Sequence, residues 1–406
     1  MKTFASIIPG VRIDEADNLL TRVLPYFFMI TFLTTAAGAA CGYLEHDSWR
    51  IGDWLVNYQG GFVRRGLLGE MIYQISRVTH VNPGVYACLL QVLFYAVYFV
   101  FSYLLIRQQQ SLVPYALLIF SPFIFSFQIN DIQGGYRKEV IFFAIMAATV
   151  YAARVCKPKR FATIVYGVLA LYPAVILTHE MLAVFLPYVL AVYSSVVPIT
   201  RKQLVLVGLL LVPSGVSLCL SVYFPGTSGH IPAILESINS QGYAMSGGSI
   251  EWLDKSLSYG YGFMIELARR NRFFFYYPQI LILSMIAYVP VSRHLIRFFK
   301  NRLSLVLILG SIAGTGLLCL LAIDWDRFMY SHLVSLFLLT LLEPGKPPAA
   351  DPGKRLNLLV ISVFVIYCLY WHIPHYGYPN PYARSLKAIN PGSYIYVYKK
   401  LCGYPF

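Results

Sequence analysis

Charge is what this chain has least of. Aspartate, glutamate, lysine and arginine make up 12% of its 406 residues against 58% hydrophobic residues, too little to keep a globular surface in water. Acidic residues are the scarcer sign, 18 against 32 basic ones. The seven cysteines (Cys41, Cys88, Cys156, Cys219, Cys319, Cys368 and Cys402) form no CxxC pair, which argues against a zinc site or a disulfide framework. His179-Glu180 is not the start of HExxH, since position 183 is alanine, so a zinc protease is disfavoured. No internal repeat is visible, which weakens an inverted-repeat transporter architecture. The net charge of +14 is dispersed over short connections instead of forming one stripe, so nucleic acid is not expected as a partner.

What the chain does have is apolar runs of about 16 to 22 residues, near the length that crosses a roughly 30 Å hydrocarbon core. The expectation is an all-α, polytopic helical membrane protein, a single domain over 1–406 with about eleven spans. They fall near 24–43, 85–106, 112–129, 140–155, 161–178, 181–199, 204–223, 274–291, 303–322, 331–342 and 356–371. Every second connection is basic: Arg107, then Arg154 to Arg160, Arg201 and Lys202, Arg293 to Arg302, and Lys346, Lys354 and Arg355. Those connections belong in the cytoplasm, which places the amino terminus inside and the tail 372–406 outside. The expected location is the bacterial inner membrane, multi-pass, with an uncleaved first span. Segments 44–84 and 224–273 then form two large extracytoplasmic loops. In the first, Leu67, Leu68, Met71, Ile72 and Ile75 recur at helical spacing and predict an amphipathic helix lying in the interface.

Four polar clusters fall on the outer side in this topology: Asp47 to Arg65, Asp131 to Glu139, His179 with Glu180, and Asp324 to Arg327. Ionisable groups at membrane depth cost a few kcal/mol each, so their gathering at one face points to a shared site. Arg64, Arg65, Arg137, Lys138, Arg269, Arg270, Arg272 and Arg327 lie where the topology disfavours positive charge, and an anionic ligand such as a phosphate or diphosphate is the simplest reason. Headgroup snorkelling is the competing explanation for Arg64 and Arg65, and a self-neutralising turn for Arg137, Lys138 and Glu139. Asp53, with Asp47 second, can serve as general base on a hydroxyl, unless Asp53 merely caps the following segment. His179 and Glu180 suit hydrogen bonding to a ligand, or a packed polar pair. Asp324, Asp326 and Arg327 can hold a sugar or a divalent cation, while Trp54 and Trp325 beside carboxylates suit the faces of a sugar.

An acidic residue soon after the first span, here Asp47 or Asp53, followed by a juxtamembrane amphipathic helix near Arg64 to Arg77, resembles the GT-C class of membrane glycosyltransferases. That class uses polyprenyl-linked sugars on the outer side of the membrane, and the resemblance implies Asp53 as catalytic base. Glu45 and Asp47 are separated by His46, where the class commonly has an adjacent acidic pair. The chain also resembles O-antigen and capsule polysaccharide polymerases, which implies that Arg64, Arg65, Arg269, Arg270 and Arg272 hold the lipid diphosphate. The expected partners are a polyprenyl-linked sugar or oligosaccharide, a glycan acceptor and membrane lipid. A lipid-linked oligosaccharide flippase or transporter, and a membrane acyltransferase using His179, are the rival expectations.

Overall fold

A computed structural model describes residues 11–343, 355–356, 358–371, 373 and 390–403. The chain is all-α and 78% helical; its two-residue strands β1 (Val11–Arg12) and β2 (Arg355–Leu356) pair antiparallel, Val11 opposite Leu356. Helix α1 (Ile13–Leu44) leads into a loop with a short 3-10 turn at Gly52–Leu55, then α2 (Leu67–Thr79) and α3 (Pro83–Arg107). A broken stretch holds α4 (Ala116–Phe120), α5 (Phe127–Asn130) and α6 (Ile132–Gly135), and α7 (Glu139–Val155) and α8 (Pro158–Thr178) follow. A 3-10 turn, Glu180–Phe185, precedes α9 (Leu186–Val196) and α10 (Arg201–Tyr223). The segment after α10 carries α11 (His230–Ser240), a 3-10 turn at Gly248–Trp252 and α12 (Leu257–Arg270). The remainder is α13 (Phe273–Ile286), α14 (Ser292–Phe299), α15 (Arg302–Leu321), α16 (Trp325–Thr340), α17 (Leu358–Tyr370) and α18 (Asn390–Cys402).

Among the described residues five helices, α1, α3, α8, α10 and α15, are long and apolar enough to cross a membrane, and a sixth span arises if α13 and the segment 289–299, bent by 54°, count as one. Their ends follow local chemistry. Asn82 caps α3 by accepting from the Val85 amide, with Pro83 at the first helical position where no amide is needed. Thr200 and Gln203 form a capping box at α10.

The expected run 112–129 is not one helix. Pro114 opens a 3-10 turn, and Ser121-Pro122 ends α4, because a residue before proline is pushed out of the helical region. The expected run 331–342 is the second part of α16, a helix of 16 residues that starts at Trp325. Both α7 and α16 are buried on nearly every face, with α3 packed on α7 and α7 on α16. A helix shielded by other helices need not match the bilayer, which explains how these two tolerate Glu139, Asp326 and Arg327. The expected amphipathic helix forms as α2, with Gly69, Ile72 and Ser76 turned inward and Met71, Ile75 and Val78 outward. The segment 224–273 is largely helical, and of the expected tail 372–406 only Ile373 and residues 390–403 are described; Lys346 and Lys354 also lie outside the described residues.

Gly69 sets how closely α2 approaches the first loop. A Cβ there would sit 1.9 Å from the Val56 carbonyl oxygen, so the clash is with backbone and cannot be relieved by a rotamer. Gly69→Ala should destabilise the protein by about 1–3 kcal/mol, read as a lowered thermal midpoint in detergent, whereas Gly167→Ala, whose Cβ would meet nothing within 4 Å, should not.

Candidate functional site

The first loop is stitched to the segment before α7 by buried polar groups. The Trp54 indole donates to the Tyr136 carbonyl at 2.9 Å, and Gln91 on α3 donates to the same oxygen at 3.2 Å and to the Arg50 carbonyl at 2.8 Å. The Tyr136 hydroxyl donates to the Thr35 carbonyl of α1 at 3.0 Å. Asp47 belongs to this frame. Its Oδ1 accepts from the amides of Trp49 and Arg50, both at 2.9 Å, and its Oδ2 accepts from Arg50 Nε at 2.8 Å. Burial would raise the Asp47 carboxyl, but the Arg50 charge and the amide bonds hold it below its usual value. The Arg50 guanidinium also bonds Glu45 and, at 3.2 Å, the Gly38 carbonyl, so Asp47 is occupied in folding this loop.

Asp53, six residues on, has the opposite situation. Its side chain is 1% exposed, and among the described residues neither carboxylate oxygen has a hydrogen-bond partner. Burial alone would raise this carboxyl. The fields of Arg137 and Lys138, then of His179 when protonated and of Arg65, outweigh burial and hold Asp53 ionised well below the usual carboxylate range.

Each of these cations is fixed by other contacts. Arg65 donates Nε at 2.9 Å and Nη2 at 2.6 Å to Glu180, a bidentate pair. Its backbone lies at φ +67, a left-handed conformation costly for a side-chain-bearing residue, and the Lys138 ammonium holds it there by donating to the Arg65 carbonyl at 3.2 Å. The same ammonium donates to the Thr178 carbonyl at 3.0 Å. Lys138 is wholly buried, and burial lowers its ammonium to about 8 against the opposing field of Asp53, leaving it mostly charged at neutral pH. Arg137 donates Nη1 to the Trp49 carbonyl and lies 5.3 Å from the centre of the Trp49 ring. Burial, then Arg65, lowers the His179 imidazole, whose Nδ1 is 3.5 Å from Glu180.

The fourth cluster joins through α16. Arg327 bonds Glu139 at the start of α7, and its Nη1 lies 3.0 Å from Asp324. Asp326 is fully buried beside it in sequence. All four polar clusters of the sequence therefore meet at one end of the helix bundle, linked by the Arg65–Glu180, Lys138–Thr178 and Arg327–Glu139 contacts.

Other expectations come out differently. Trp54 is fully buried and holds the frame, so it offers no open face to a sugar. Trp325 packs against Phe273, Phe274 and Tyr277 with its indole bonded to the Cys319 carbonyl at 2.8 Å, which leaves it a packing role as well. Among the described residues no three His, Cys, Asp or Glu side chains converge as a metal site, and Asp324 is engaged by Arg327. Arg269 and Arg270 end α12, and Arg272 precedes α13 in a left-handed conformation; none of them joins the contacts around Asp53. Arg50, Gln91 and Tyr136 join the site without having stood out in the sequence. Only Arg50 carried a signal, its three-residue spacing from Asp47 in a segment poor in charge.

Removing one partner of the Arg327–Glu139 pair leaves a buried charge uncompensated. Arg327→Leu should cost about 3–5 kcal/mol by detergent unfolding, and adding Glu139→Leu should recover much of that loss. Comparison of the chain with protein-family models, with curated proteins and with solved structures finds no match.

Proposed function

We propose that this protein is a multi-pass glycosyltransferase or polysaccharide polymerase of the bacterial inner membrane, acting at its extracytoplasmic face. It moves a sugar from a polyprenyl phosphate or diphosphate carrier to a hydroxyl of a glycan acceptor. One observation carries this reading: the buried hydrogen-bonding capacity left over at the site is of two kinds. Asp53 has free acceptors, while Arg64 Nε, Arg137 Nε and Arg327 Nε are buried donors without a partner among the described residues. A sugar phosphate supplies the complement of both, hydroxyl donors for the carboxylate and phosphate oxygens for the guanidinium groups.

In this mechanism the acceptor oxygen attacks the anomeric carbon as the bond from that carbon to the carrier phosphate breaks. The acceptor proton passes to Asp53, and the phosphate leaves as an anion held by Arg64, Arg65 and Arg137. The surrounding cations favour the ionised form of Asp53 and by themselves make it a weak base. A bound phosphate spends that field on itself, so burial again raises the carboxyl and base strength increases once the donor is in place. The full membrane topology belongs to the same proposal: about eleven crossings, amino terminus inside, with the site at the outer end.

Two measurements test this. Asp53→Asn keeps the shape and removes the base, so transfer from a polyprenyl-linked sugar should fall by about 100-fold or more while carrier binding persists; near-normal turnover would remove Asp53 from the role. In a cysteine-free background, a membrane-impermeant thiol reagent applied from outside should label cysteines placed at Gln59 and Ser246, both exposed, and spare one at Lys300. Labelling at 300 from outside would reverse the topology and overturn the extracytoplasmic site.

A further inference from the structure

The end of α8 is fixed by main-chain bonds that leave one side chain without a part in them. The His179 amide donates to the Val175 carbonyl at 2.9 Å, and the His179 carbonyl accepts from the Leu182 amide at 3.0 Å. The Tyr172 hydroxyl donates to the Leu182 carbonyl at 2.8 Å. The turn that follows is sunk into the bundle, with Leu182 and Phe185 fully buried and the Val184 carbonyl accepting from Ser311 Oγ of α15 at 2.7 Å. Thr178, one residue back, gives its carbonyl to the Lys138 ammonium, and Glu180, one residue on, is gripped by Arg65. Between them the His179 imidazole is 2% exposed, and its Nδ1 has no hydrogen-bond partner among the described residues; a Glu180 oxygen stands 3.5 Å away.

The chemistry assigned to Asp53 creates a need that this imidazole meets. Every turnover leaves the acceptor's proton on Asp53, and the base must lose it before the next. When the product phosphate departs, the field of the cations falls on Asp53 again and favours its ionised form, so the proton is driven off. Arg65, Arg137 and Lys138 cannot take it. A guanidinium has no free lone pair, and the Lys138 ammonium, lowered by burial to about 8, is already mostly charged at neutral pH. His179 is the fourth group whose charge bears on Asp53, and burial first, then Arg65, keeps it neutral at pH 7. Against burial, Arg65 holds Glu180 ionised, which places negative charge beside Nδ1. A carboxylate there favours the tautomer with its proton on Nδ1, leaves the Nε2 lone pair able to accept, and stabilises the imidazolium that results.

We propose that His179 takes the proton from Asp53 and passes it to water, with Glu180 as the anion that orients and steadies the ring. This rests on the transferase reading and adds to it the step that resets the base. The bond broken is O–H on Asp53 and the bond formed is N–H at Nε2. The imidazolium then gives its proton to solvent and returns to neutral, so one proton leaves for each sugar moved. His179 acts through Asp53 and touches neither the sugar nor the phosphate. A packed polar pair of His179 and Glu180 with no part in turnover is the alternative the experiment separates.

Two measurements on the intact protein in phosphatidylcholine nanodiscs test the relay. Solid-state nitrogen NMR of histidine-labelled protein at neutral pH, with the His179 signals identified by their loss in His179→Gln, should show a neutral ring protonated on Nδ1. A ring protonated on Nε2, or an imidazolium, overturns the relay whatever the activity. Transfer is then followed from about pH 5 to 8 with polyprenyl phosphate-linked hexoses, phosphodiesters that have no group titrating near neutrality. A proton acceptor whose value is lowered from 6.5 is lost once the ring charges, so the parent rate should fall on the acid side of 6.5. His179→Gln keeps a neutral polar side chain that cannot take the proton. It should turn over at least about tenfold more slowly, lose the acid limb, and bind polyprenyl phosphate as the parent does. Near-normal turnover, an acid limb that persists, or a parallel loss of carrier binding and thermal midpoint marks a packing role and sinks the relay alone. A parent that transfers no hexose sinks the transferase reading and the relay with it.

Discussion

A carboxylate that no hydrogen bond among the described residues satisfies is the constraint around which one end of this molecule is arranged. Taking Asp53 out of water costs several kcal/mol unless opposite charge is brought near, and that charge is itself buried and costly. Arg65, Arg137 and Lys138 therefore each require their own anchors: Glu180, the Trp49 carbonyl, and the carbonyls of Arg65 and Thr178. Those anchors lie on segments far apart in sequence. Holding one aspartate ionised thus dictates how the first loop, the start of α7 and the end of α8 meet.

The anchoring also explains the strained backbone at Arg65. An arginine in the left-handed region persists only where its surroundings leave no cheaper choice, and here the carbonyl is held by Lys138 and the guanidinium by Glu180. Glycine follows at position 66, so the strain has not been removed where the backbone is most permissive; it falls on the residue whose side chain is used.

Much of this end of the fold was legible in the sequence, because charge is so rare that each cluster announces itself. Asp53, Arg65, Arg137, Lys138, His179, Glu180 and Arg327 were readable by their positions alone, and the structure brings their segments together. What the sequence did not separate was role. Asp47 and Asp53 look alike as letters, and only geometry shows that one is saturated by Arg50 while the other has bare oxygens. One helix was misread for a related reason: hydropathy registers apolarity and cannot tell a continuous helix from one broken at proline, so the stretch over 112–129 resembled an ordinary span. The sunken turn at Glu180–Phe185 left no pattern at all, since it is too short to have a period.

The brace between α1 and α18 bears on how the molecule is made. Tyr394 on α18 shares hydrogen bonds with Thr31 of α1 and Ser126, and Lys400 pairs with Glu45, which in turn holds Arg50 under the first loop. A ribosome emits Cys41 356 residues before Val397, whose carbonyl lies against its thiol. While those 356 residues are being added, then, the loop bearing Asp53 lacks this support. The nascent chain is inserted with an unfinished head, and the Glu45–Arg50 pair gains its second cation only when α18 emerges.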